Sequence, residues 1–177
     1  MSTIHTQYYE TPLGELIIGA YEGQLCLCDW RYRRMRDQVD KRLQKFLNTE
    51  YRQQTDPVID QTVAQLDAYL SGQRQQFDLP LLLAGSDFQQ QVWQALINIP
   101  YGTTYSYLQL SEQLGNPKAI RAVASANGAN AISIIVPCHR IIGSDGSLTG
   151  YAGGLPAKEK LLKLEGAELP GRTLELF

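Results

Sequence analysis

A cysteine and a histidine stand side by side in the segment IIVPCHRIIG, residues 134–143, of a chain with three cysteines and two histidines. The thiolate is the reactive form of cysteine, and an ordinary thiol, with a pKa of about 8.5, is only slightly ionised at neutral pH. Pro137 predicts that Cys138 begins a helical turn, where free backbone N–H groups favour the thiolate. This effect is worth about 1–2 kcal/mol at most. A reactive Cys138 therefore also needs a base, and His139 is the candidate.

The base is expected to act through an intermediary, because adjacent residues on a helical turn point in different directions. We therefore expect a water molecule to link Cys138 and His139. A histidine base also needs a third group that fixes its tautomer. Glu165, at the end of the last predicted helix, is one acidic candidate. Asp145 is the other, although its Ser-Asp-Gly-Ser setting is typical of a solvated turn.

The alternative interpretation of this pair is structural, with Cys138 as a buried core thiol and His139 as a hydrogen-bonded core residue. The same interpretation applies to Cys26 and Cys28, which alternate along a predicted strand in the sequence LCLC. Only His5 accompanies these two cysteines in the first part of the chain, which is too few ligands for zinc. We therefore predict no metal site, and nothing in the sequence indicates a cofactor.

Two short helices joined by a Gly-Asn turn are predicted in YGTTYSYLQLSEQLGNPKAIRAVASANG, which is the outline of a helix-turn-helix. The first is expected to begin at Thr103 or Thr104 and to end before Gly115, a typical C′ residue. The second is expected to begin at Asn116, with Pro117 in its first turn. Its apolar residues are predicted to face inward and its polar residues outward, the first set being Ile120, Val123 and Ala124 and the second Lys118, Arg121 and Ser125.

The remaining segments predict an α/β half followed by a mostly α half. The first half contains a strand–turn–strand unit, LGELIIGAYEGQLCLCDW, and two amphipathic helices. In the second half, Ser86-Asp87 is expected to cap a helix, ISIIV is read as a buried strand, and AKEKLLKLEG as the last helix. We predict an N-terminal domain over residues 1–84 and a C-terminal domain over residues 85–177.

Composition limits the classes of partner. The net charge of −2 does not favour extensive nucleic-acid binding, but residues 101–143 carry Lys118, Arg121 and Arg140 against Glu112 alone. A DNA partner would therefore make few phosphate contacts. No run approaches the roughly 20 apolar residues of a membrane span, and the start, MSTIHTQYYE, shows no secretory signal. An odd number of cysteines predicts reduced thiols and a cytoplasmic location.

A series of motifs runs along the chain from Phe88 onward, namely FQQQVW, PYGTTYSY, LGNPKAIRAV, ANGAN, VPCHRIIG, GYAGG and LLKLEG. In these motifs, their order and their spacing, the chain resembles the methylated-DNA–protein-cysteine methyltransferases of bacterial type, the O6-alkylguanine-DNA alkyltransferase family. The first strands, ETPLGELIIGAYEGQLCLCDW, resemble the family more weakly. The resemblance implies a small ribonuclease-H-like α/β domain followed by a winged-helix-like helix-turn-helix domain.

The resemblance also implies roles for individual residues. Cys138 matches the alkyl acceptor, and His139 and Glu165 match the histidine and glutamate of a water-linked activating network. Arg121 matches the finger that fills the space left by the extruded base, and Tyr107 matches the tyrosine that displaces the 3′ phosphate and donates to the guanine ring. The other matched residues are the hinge Asn130, the DNA-backbone contacts Gln89 and Asn116, the base contact Ser144, and the base-covering loop from Tyr151 to Gly154, which includes Gly153.

The function implied by the resemblance is irreversible transfer of a methyl or larger alkyl group from O6-alkylguanine, and from O4-methylthymine, to Cys138. The implied partner is double-stranded DNA, bound through its minor groove by a monomer that flips the damaged base out of the duplex. Because thiol exchange does not reverse a thioether, each molecule is expected to react once. The chain departs from the family twice: it lacks the zinc ligands of some members, and Gly128 replaces a basic residue.

Two other functions remain open from the residues alone. A non-enzymatic module that binds or marks damaged DNA predicts binding that does not depend on Cys138. A cysteine hydrolase predicts an oxyanion hole and repeated turnover. The acceptor cysteine itself favours a reactive protein, because alkyltransferase-like relatives that only bind lesions lack this residue.

Overall fold

Two sets of internal contacts divide the chain into the units Met1–Gly85 and Ser86–Phe177. The computed structural model describes residues 2–169 and the backbone of residues 172–173. In chain order the strands and helices are β1 (Ile4–Thr11), β2 (Gly14–Tyr21), β3 (Gln24–Trp30), α1 (Arg36–Leu47), β4 (Tyr51–Gln53), α2 (Pro57–Leu70), α3 (Asp87–Ile97), β5 (Tyr105–Ser106), α4 (Tyr107–Gln113), α5 (Ile120–Gly128), a 3₁₀ turn (Cys138–Arg140), β6 (Ile141–Ile142), α6 (Leu155–Leu164), β7 (Glu168–Leu169) and β8 (Arg172–Thr173).

The first unit is built on a four-stranded sheet in the order β3-β2-β1-β4. Strand β2 runs antiparallel to both of its neighbours, whereas β4 is parallel to β1. Helix α2 packs against β1, β2 and β3. Asp56 caps this helix, since its carboxylate accepts a hydrogen bond of 2.8 Å from Val58 N–H. The predicted strand–turn–strand unit and both predicted helices are confirmed.

The second unit is mostly helical, as predicted. Helix α3 begins at the expected cap, where Ser86 and Gln89 exchange two hydrogen bonds in a capping box. Helix α3 packs against α4 and α5, and the indole N–H of Trp93 donates to the Ala126 carbonyl at 2.8 Å. Helix α6 packs against the 3₁₀ turn that contains Cys138. This packing brings the last helix of the chain to the Cys-His pair.

The first helix of the helix-turn-helix starts later than predicted. Ser106, not Thr103 or Thr104, is its N-cap: the hydroxyl accepts from Gln109 N–H at 3.1 Å, and the Gln109 side chain accepts from Ser106 N–H at 2.8 Å. Ser106 has this partner three residues ahead, which completes a capping box and decides the position. The predicted end is confirmed, because Gly115 follows the helix with a φ of +76°.

The second helix, α5, also starts later than predicted. It begins at Ile120 after Ala119, which makes no side-chain cap. Asn116 instead accepts a hydrogen bond of 3.0 Å from Ala119 N–H, so residues 116–119 form a separate turn. Ile120 is 39% exposed rather than inward-facing, whereas Val123 is buried and Arg121 exposed, as expected. The buried residues of the helix are Val123, Ala126 and Asn127, whereas Ile120 lies at its exposed first position.

The predicted strand ISIIV is wrong, although its residues are buried. Residues 133–135 form turns, and Ile134 has a φ of +70°, which a strand does not allow. The side chain of Asn130 stabilises this conformation: its amide donates to the Val136 carbonyl at 2.8 Å, and its oxygen accepts from Ile132 N–H at 2.9 Å. These local bonds replace the ladder bonds of a sheet.

Among the described residues, no helix has the length and apolar character that crossing a membrane requires.

Candidate active site

Cys138 is the first residue of the 3₁₀ turn and is only 6% exposed. Its position depends on the preceding turns, since Val136 O, which accepts from the Asn130 amide, also accepts from Cys138 N–H at 2.8 Å. Asn130 is itself buried, so this arrangement is protected from competing water. Asn130 thus fixes the backbone that presents the thiol.

The neighbouring histidine and arginine both bind one carboxylate. His139 Nε2 lies 2.9 Å from Oε2 of Glu165, which is the C-cap residue of α6. Arg140 donates to the same carboxylate through Nε to Oε1 at 2.8 Å and through Nη2 to Oε2 at 2.9 Å. All three side chains are buried. Asp145, the other acidic candidate, is exposed and accepts from Ser147 N–H in its own turn. The geometry therefore selects Glu165 as the partner of His139.

The charges around Glu165 determine the tautomer of His139. Burial raises the pKa of Glu165, but hydrogen bonds from His139 and Arg140, together with their charge, outweigh burial and hold that pKa well below its ordinary value. An ionised carboxylate only accepts hydrogen bonds, so His139 Nε2 must donate to it. The lone pair is then on Nδ1, which is buried and has no hydrogen-bond partner among the described residues. Nδ1 is therefore the basic atom.

His139 is neutral in this environment. Burial lowers its pKa, the hydrogen bond to Glu165 opposes this change, and the nearby charges of Arg140 and Lys158 lower the pKa further. A neutral imidazole accepts a proton, whereas an imidazolium does not. The site therefore holds the histidine in the form that a base requires.

A second buried cation, Lys158, lies in α6 close to Cys138. Its ammonium group donates to the Ile141 carbonyl at 2.5 Å and to the Thr149 carbonyl at 3.2 Å, and the residue is fully buried. Burial lowers the pKa of Lys158 to about 8, and the interaction with Cys138 opposes this change. Among the described residues no carboxylate forms an ion pair with Lys158. Its charge is thus available to stabilise a thiolate.

Two aromatic side chains approach the site from other elements. The ring centroid of Tyr151 lies 6.5 Å from that of His139, in an edge-on arrangement of 77°. The hydroxyl of Tyr107, the first residue of α4, lies 3.3 Å from the hydroxyl of Thr149. Tyr151 precedes Gly154, which has a φ of +90° and leads into α6. Gly153 and Gly154 are half-buried.

The other predicted site residues lie on the surface of the second unit. Arg121 is exposed in the first turn of α5, and Asn116 is exposed in the turn before it. Ser144 is exposed in the loop after β6. Gln89 is half-buried, and its side-chain oxygen is occupied by the capping box of α3. None of these four has a described hydrogen bond to the Cys138–Glu165 group, so they form a second, outer set.

Sequence reasoning missed three residues at this site: Arg140, Lys158 and Gly102. Arg140 was visible in the PCHR motif, but its partner is 25 residues away. Lys158 occupies a buried position of the amphipathic helix α6, and a lysine at an inward-facing position is a signal that the sequence contained. Gly102 donates its backbone N–H to Glu165 Oε1 at 3.2 Å, which no side-chain pattern indicates.

The remaining cysteines and histidine belong to the first unit. Cys26 and Cys28 are buried on β3, and burial raises the pKa of Cys26 to about 12 and that of Cys28 further. Neither is therefore reactive at neutral pH. His5 Nδ1 lies 2.8 Å from the carboxylate of Asp56, the cap of α2. In the described part of the chain no cluster of His, Cys, Asp and Glu has the arrangement of a metal site.

Two family models match the chain. The model described as "6-O-methylguanine DNA methyltransferase, ribonuclease-like domain" matches residues 4–83. The model described as "6-O-methylguanine DNA methyltransferase, DNA binding domain" matches residues 87–167. Together they cover both units and confirm the predicted order of a small α/β domain followed by a helical domain.

Individual relatives agree with these models. The chain is 44% identical over 157 residues to a Bacillus subtilis protein named "Methylated-DNA--protein-cysteine methyltransferase, constitutive", covering 88% of this chain and 92% of the relative. It is 55% identical over 115 residues to the Mycobacterium bovis methylated-DNA--protein-cysteine methyltransferase, covering 65% and 69%. The crystal structure of Mycobacterium tuberculosis OGT in complex with DNA has a TM-score of 0.79 and 41% identity, covering 91% of this chain and 92% of that one.

Proposed function

The chain belongs to the 6-O-methylguanine DNA methyltransferase family, and on that premise we propose that it repairs DNA by transferring the alkyl group of O6-alkylguanine to its own Cys138. One observation carries the proposal. Cys138 is followed by a buried histidine whose Nε2 is 2.9 Å from an ionised carboxylate and whose Nδ1 has a free lone pair. This arrangement is that of a thiol with an oriented base.

Activation begins with loss of the thiol proton. His139 Nδ1 takes the proton of Cys138 through a bridging water, which agrees with the free lone pair on Nδ1. The imidazolium that forms is stabilised by Glu165, which already accepts the Nε2–H. The Lys158 ammonium stabilises the negative charge that develops on sulfur. Both charges thus have a partner before the alkyl group arrives.

The transfer is an in-line displacement at the alkyl carbon. The sulfur electron pair forms the new S–C bond while the C–O6 bond breaks, and its electrons move into the guanine ring. In this proposal Tyr107 donates a proton or hydrogen bond to the leaving base; its hydroxyl lies 3.3 Å from that of Thr149, in the loop after Cys138. The product is a thioether. Cys26 and Cys28 are buried and unreactive, so each molecule reacts once.

The alkyl carbon is inside a duplex, so the nucleotide must leave the stack before it reaches Cys138. The exposed helix α5 is the element that contacts DNA in this proposal, through the minor groove. Arg121, exposed on this helix, fills the space left by the base, and its guanidinium remains charged there, next to the phosphates. Asn116 and Gln89 contact the DNA backbone, and Asn130 is the hinge behind α5. Ser144 and residues 151–154 contact the extruded base.

The relatives add support for the partner. The Mycobacterium tuberculosis protein that shares 41% identity with this chain crystallised with DNA. We also propose O4-methylthymine as a second substrate, a monomeric state and a cytoplasmic location. The three thiols form no disulfide, which fits a reducing compartment.

Intact-protein mass spectrometry tests the proposal. The protein is incubated with a duplex containing a single O6-methylguanine, and peptide mapping locates any added methyl group. We expect one methyl group per protein molecule, on Cys138, and none in the Cys138→Ala variant. A Cys28→Ala variant is the matched control and should gain the methyl group like the wild type.

Each other outcome identifies a different function. Unchanged mass with retained duplex binding in both the wild type and the Cys138→Ala variant would indicate a module that only binds lesions. Repeated release of methylated or hydrolysed product without a lasting adduct would indicate an enzyme with turnover, such as a cysteine hydrolase. Either result would refute the transfer to Cys138.

A further inference from the structure

A four-residue segment, Ile99–Gly102, makes contacts with both the carboxylate and the arginine of the site. We call it the turn segment. The Ile99 carbonyl accepts from Arg140 Nη1 at 2.6 Å, and Gly102 N–H donates to Glu165 Oε1 at 3.2 Å. The hydroxyl of Tyr101 donates to the Leu164 carbonyl at 3.1 Å, next to Glu165 in the chain. Three of its four residues thus bind the base-orienting part of the site.

The contact from Gly102 completes the surroundings of the carboxylate. Oε2 accepts from His139 and Arg140, and Oε1 accepts from Arg140 and Gly102. Each oxygen therefore receives two donors, the number that its lone pairs accommodate. A carboxylate held in this way has little freedom to rotate, so the direction in which it accepts from His139 is fixed.

The backbone at Gly102 requires glycine for two reasons. Its φ is +77°, a backbone conformation that residues other than glycine rarely adopt. A Cβ built on this residue would also lie 2.9 Å from the Glu165 carbonyl oxygen, a backbone atom that cannot move aside independently. The turn closes through a hydrogen bond of 3.1 Å from Thr103 N–H to the Pro100 carbonyl. The close approach of this turn to α6 is therefore built into the chain.

We propose that the turn segment is a positioning element for the alkyl-transfer site: by holding Glu165 and Arg140 it fixes the orientation of His139 and thereby sets the reactivity of Cys138. The inference rests on the proposed function for its biological meaning, but its physical content concerns only the thiol. The residues of the turn segment act through the carboxylate, the arginine and the imidazole.

The pH dependence of the Cys138 reaction reports on this role. The charged or titratable groups that act on the thiol and its base are His139, Arg140 and Glu165, with Lys158 from α6. Tyr101 lies beside Arg140 and Glu165. The Arg140 guanidinium is 5.8 Å from the ring centroid of Tyr101, and the hydroxyl of Tyr101 donates to the carbonyl of Leu164, the residue before Glu165. If Glu165 loses its fixed direction, His139 becomes a poorer base, and the pH–rate profile of the thiol moves upward.

The deciding experiment compares Gly102→Ala with Gly72→Ala. Gly72 has nearly the same φ, +79°, but a Cβ there would meet no atom within 4 Å. It follows α2 in the other unit. Both variants place a side chain at nearly the same positive φ, and only the Cβ at residue 102 would meet Glu165. The readout is the rate of Cys138 alkylation by iodoacetamide from pH 6 to 10, located by peptide mapping, and by free O6-benzylguanine at neutral pH.

We expect Gly102→Ala to lower the neutral-pH rate with both reagents by about 10- to 100-fold, the effect of misplacing an orienting group by a fraction of an ångström to an ångström. Its pH–rate profile should shift upward, whereas Gly72→Ala should keep the wild-type profile. Identical profiles for folded Gly102→Ala, Gly72→Ala and wild type would overturn the proposal.

A second variant decides the outcome if circular dichroism shows that Gly102→Ala does not fold. Tyr101→Phe removes only the hydroxyl that donates to Leu164, and we expect a few-fold lower rate with an upward shift of the profile. A wild-type profile in this variant would then overturn the proposal. The iodoacetamide measurement requires no guanine chemistry. A wild-type protein that gains no methyl group from the O6-methylguanine duplex would refute the proposed function and leave this test of the turn segment intact.

Discussion

Replacing Glu165 by glutamine tests the activation of Cys138 most directly. The carboxylate can only accept hydrogen bonds, and it accepts from His139 at Oε2 and from Arg140 at both oxygens. The amide oxygen of glutamine can keep the Arg140 contact, but its NH₂ group would then face His139 Nε2. A donor in that position requires a lone pair on Nε2 and places the proton on Nδ1. The variant therefore holds the histidine in the wrong tautomer.

The magnitude follows from two separate effects. The same exchange of carboxylate for amide in a Ser-His-Asp triad lowers kcat by about 10⁴-fold. Cysteine is more acidic than serine and depends less on its base, so we expect a loss of about 10²- to 10³-fold. The variant also leaves a buried arginine without its charged partner, which costs about 3–5 kcal/mol of the free energy of unfolding.

The assay measures the single-turnover rate at which Cys138 gains a benzyl group from excess free O6-benzylguanine, by intact mass. Urea unfolding defines the conditions under which the variant remains folded. Glu168→Gln is the control, because Glu168 is exposed on β7 and its replacement removes the same charge. The deficit of Glu165→Gln should shrink as the pH rises through about 8.5, where an unassisted thiol ionises by itself.

Two results would refute this reasoning. A folded Glu165→Gln protein that reacts as fast as the wild type would show that the carboxylate does not orient the base. A large deficit that stays constant from neutral pH to pH 10 would show that Glu165 acts on a step other than thiol ionisation.

Three further outcomes are expected from the structure. Arg121→Ala should slow repair of duplex DNA by about 10-fold or more and leave reaction with free O6-benzylguanine unchanged. Exposed Lys160→Ala is the control, and equal losses on both substrates would contradict a role of Arg121 in base extrusion. Asn130→Ala should lower the free energy of unfolding by about 2–3 kcal/mol, because the buried hydrogen bonds of its side chain to Ile132 and Val136 are lost. Exposed Asn116→Ala should change it by less than about 0.5 kcal/mol. For Lys158, burial lowers the folded pKa to about 8, so the unfolded chain binds more protons between pH 8 and about 10.4. The free energy of unfolding of the wild type, relative to Lys158→Met, should therefore rise by up to about 3 kcal/mol across that range, and a flat difference in urea titrations would show that the lysine is not buried as a cation.

Local features were predictable because their causes are close in the chain. The Ser86 capping box of α3 and the C′ glycine of α4 depend on partners three to five residues away. The hydrophobic spacing likewise predicted the helices of the first unit. The predicted start of α4 was wrong because several cap candidates lie close together: Ser106, rather than Thr103 or Thr104, is the cap, since Gln109 completes its capping box.

The segment before the thiol shows where local reasoning fails. A run of β-branched residues favours a strand, but a strand needs a neighbouring strand to receive its hydrogen bonds. Here two of the bonds go to the side chain of Asn130, and others close turns within the segment. The burial of ISIIV was therefore predictable from its composition, whereas its conformation depended on one amide nearby in the chain.

The sequence by itself determined the chemical groups of this protein: a cysteine followed by a histidine, a glutamate at the end of the last helix, and an arginine on a short exposed helix. Their motifs were sufficient to indicate the family. Only the tertiary structure decided the hydrogen-bond partners, the tautomer and the pKa values of those groups. It placed Arg140 and the Gly102 N–H on Glu165, enclosed Lys158 near Cys138, and left Nδ1 of His139 as the basic atom. The physical reason is that tautomers and pKa values depend on burial and on charges within a few ångströms, and residues 17 to 63 positions apart supply those charges and donors here.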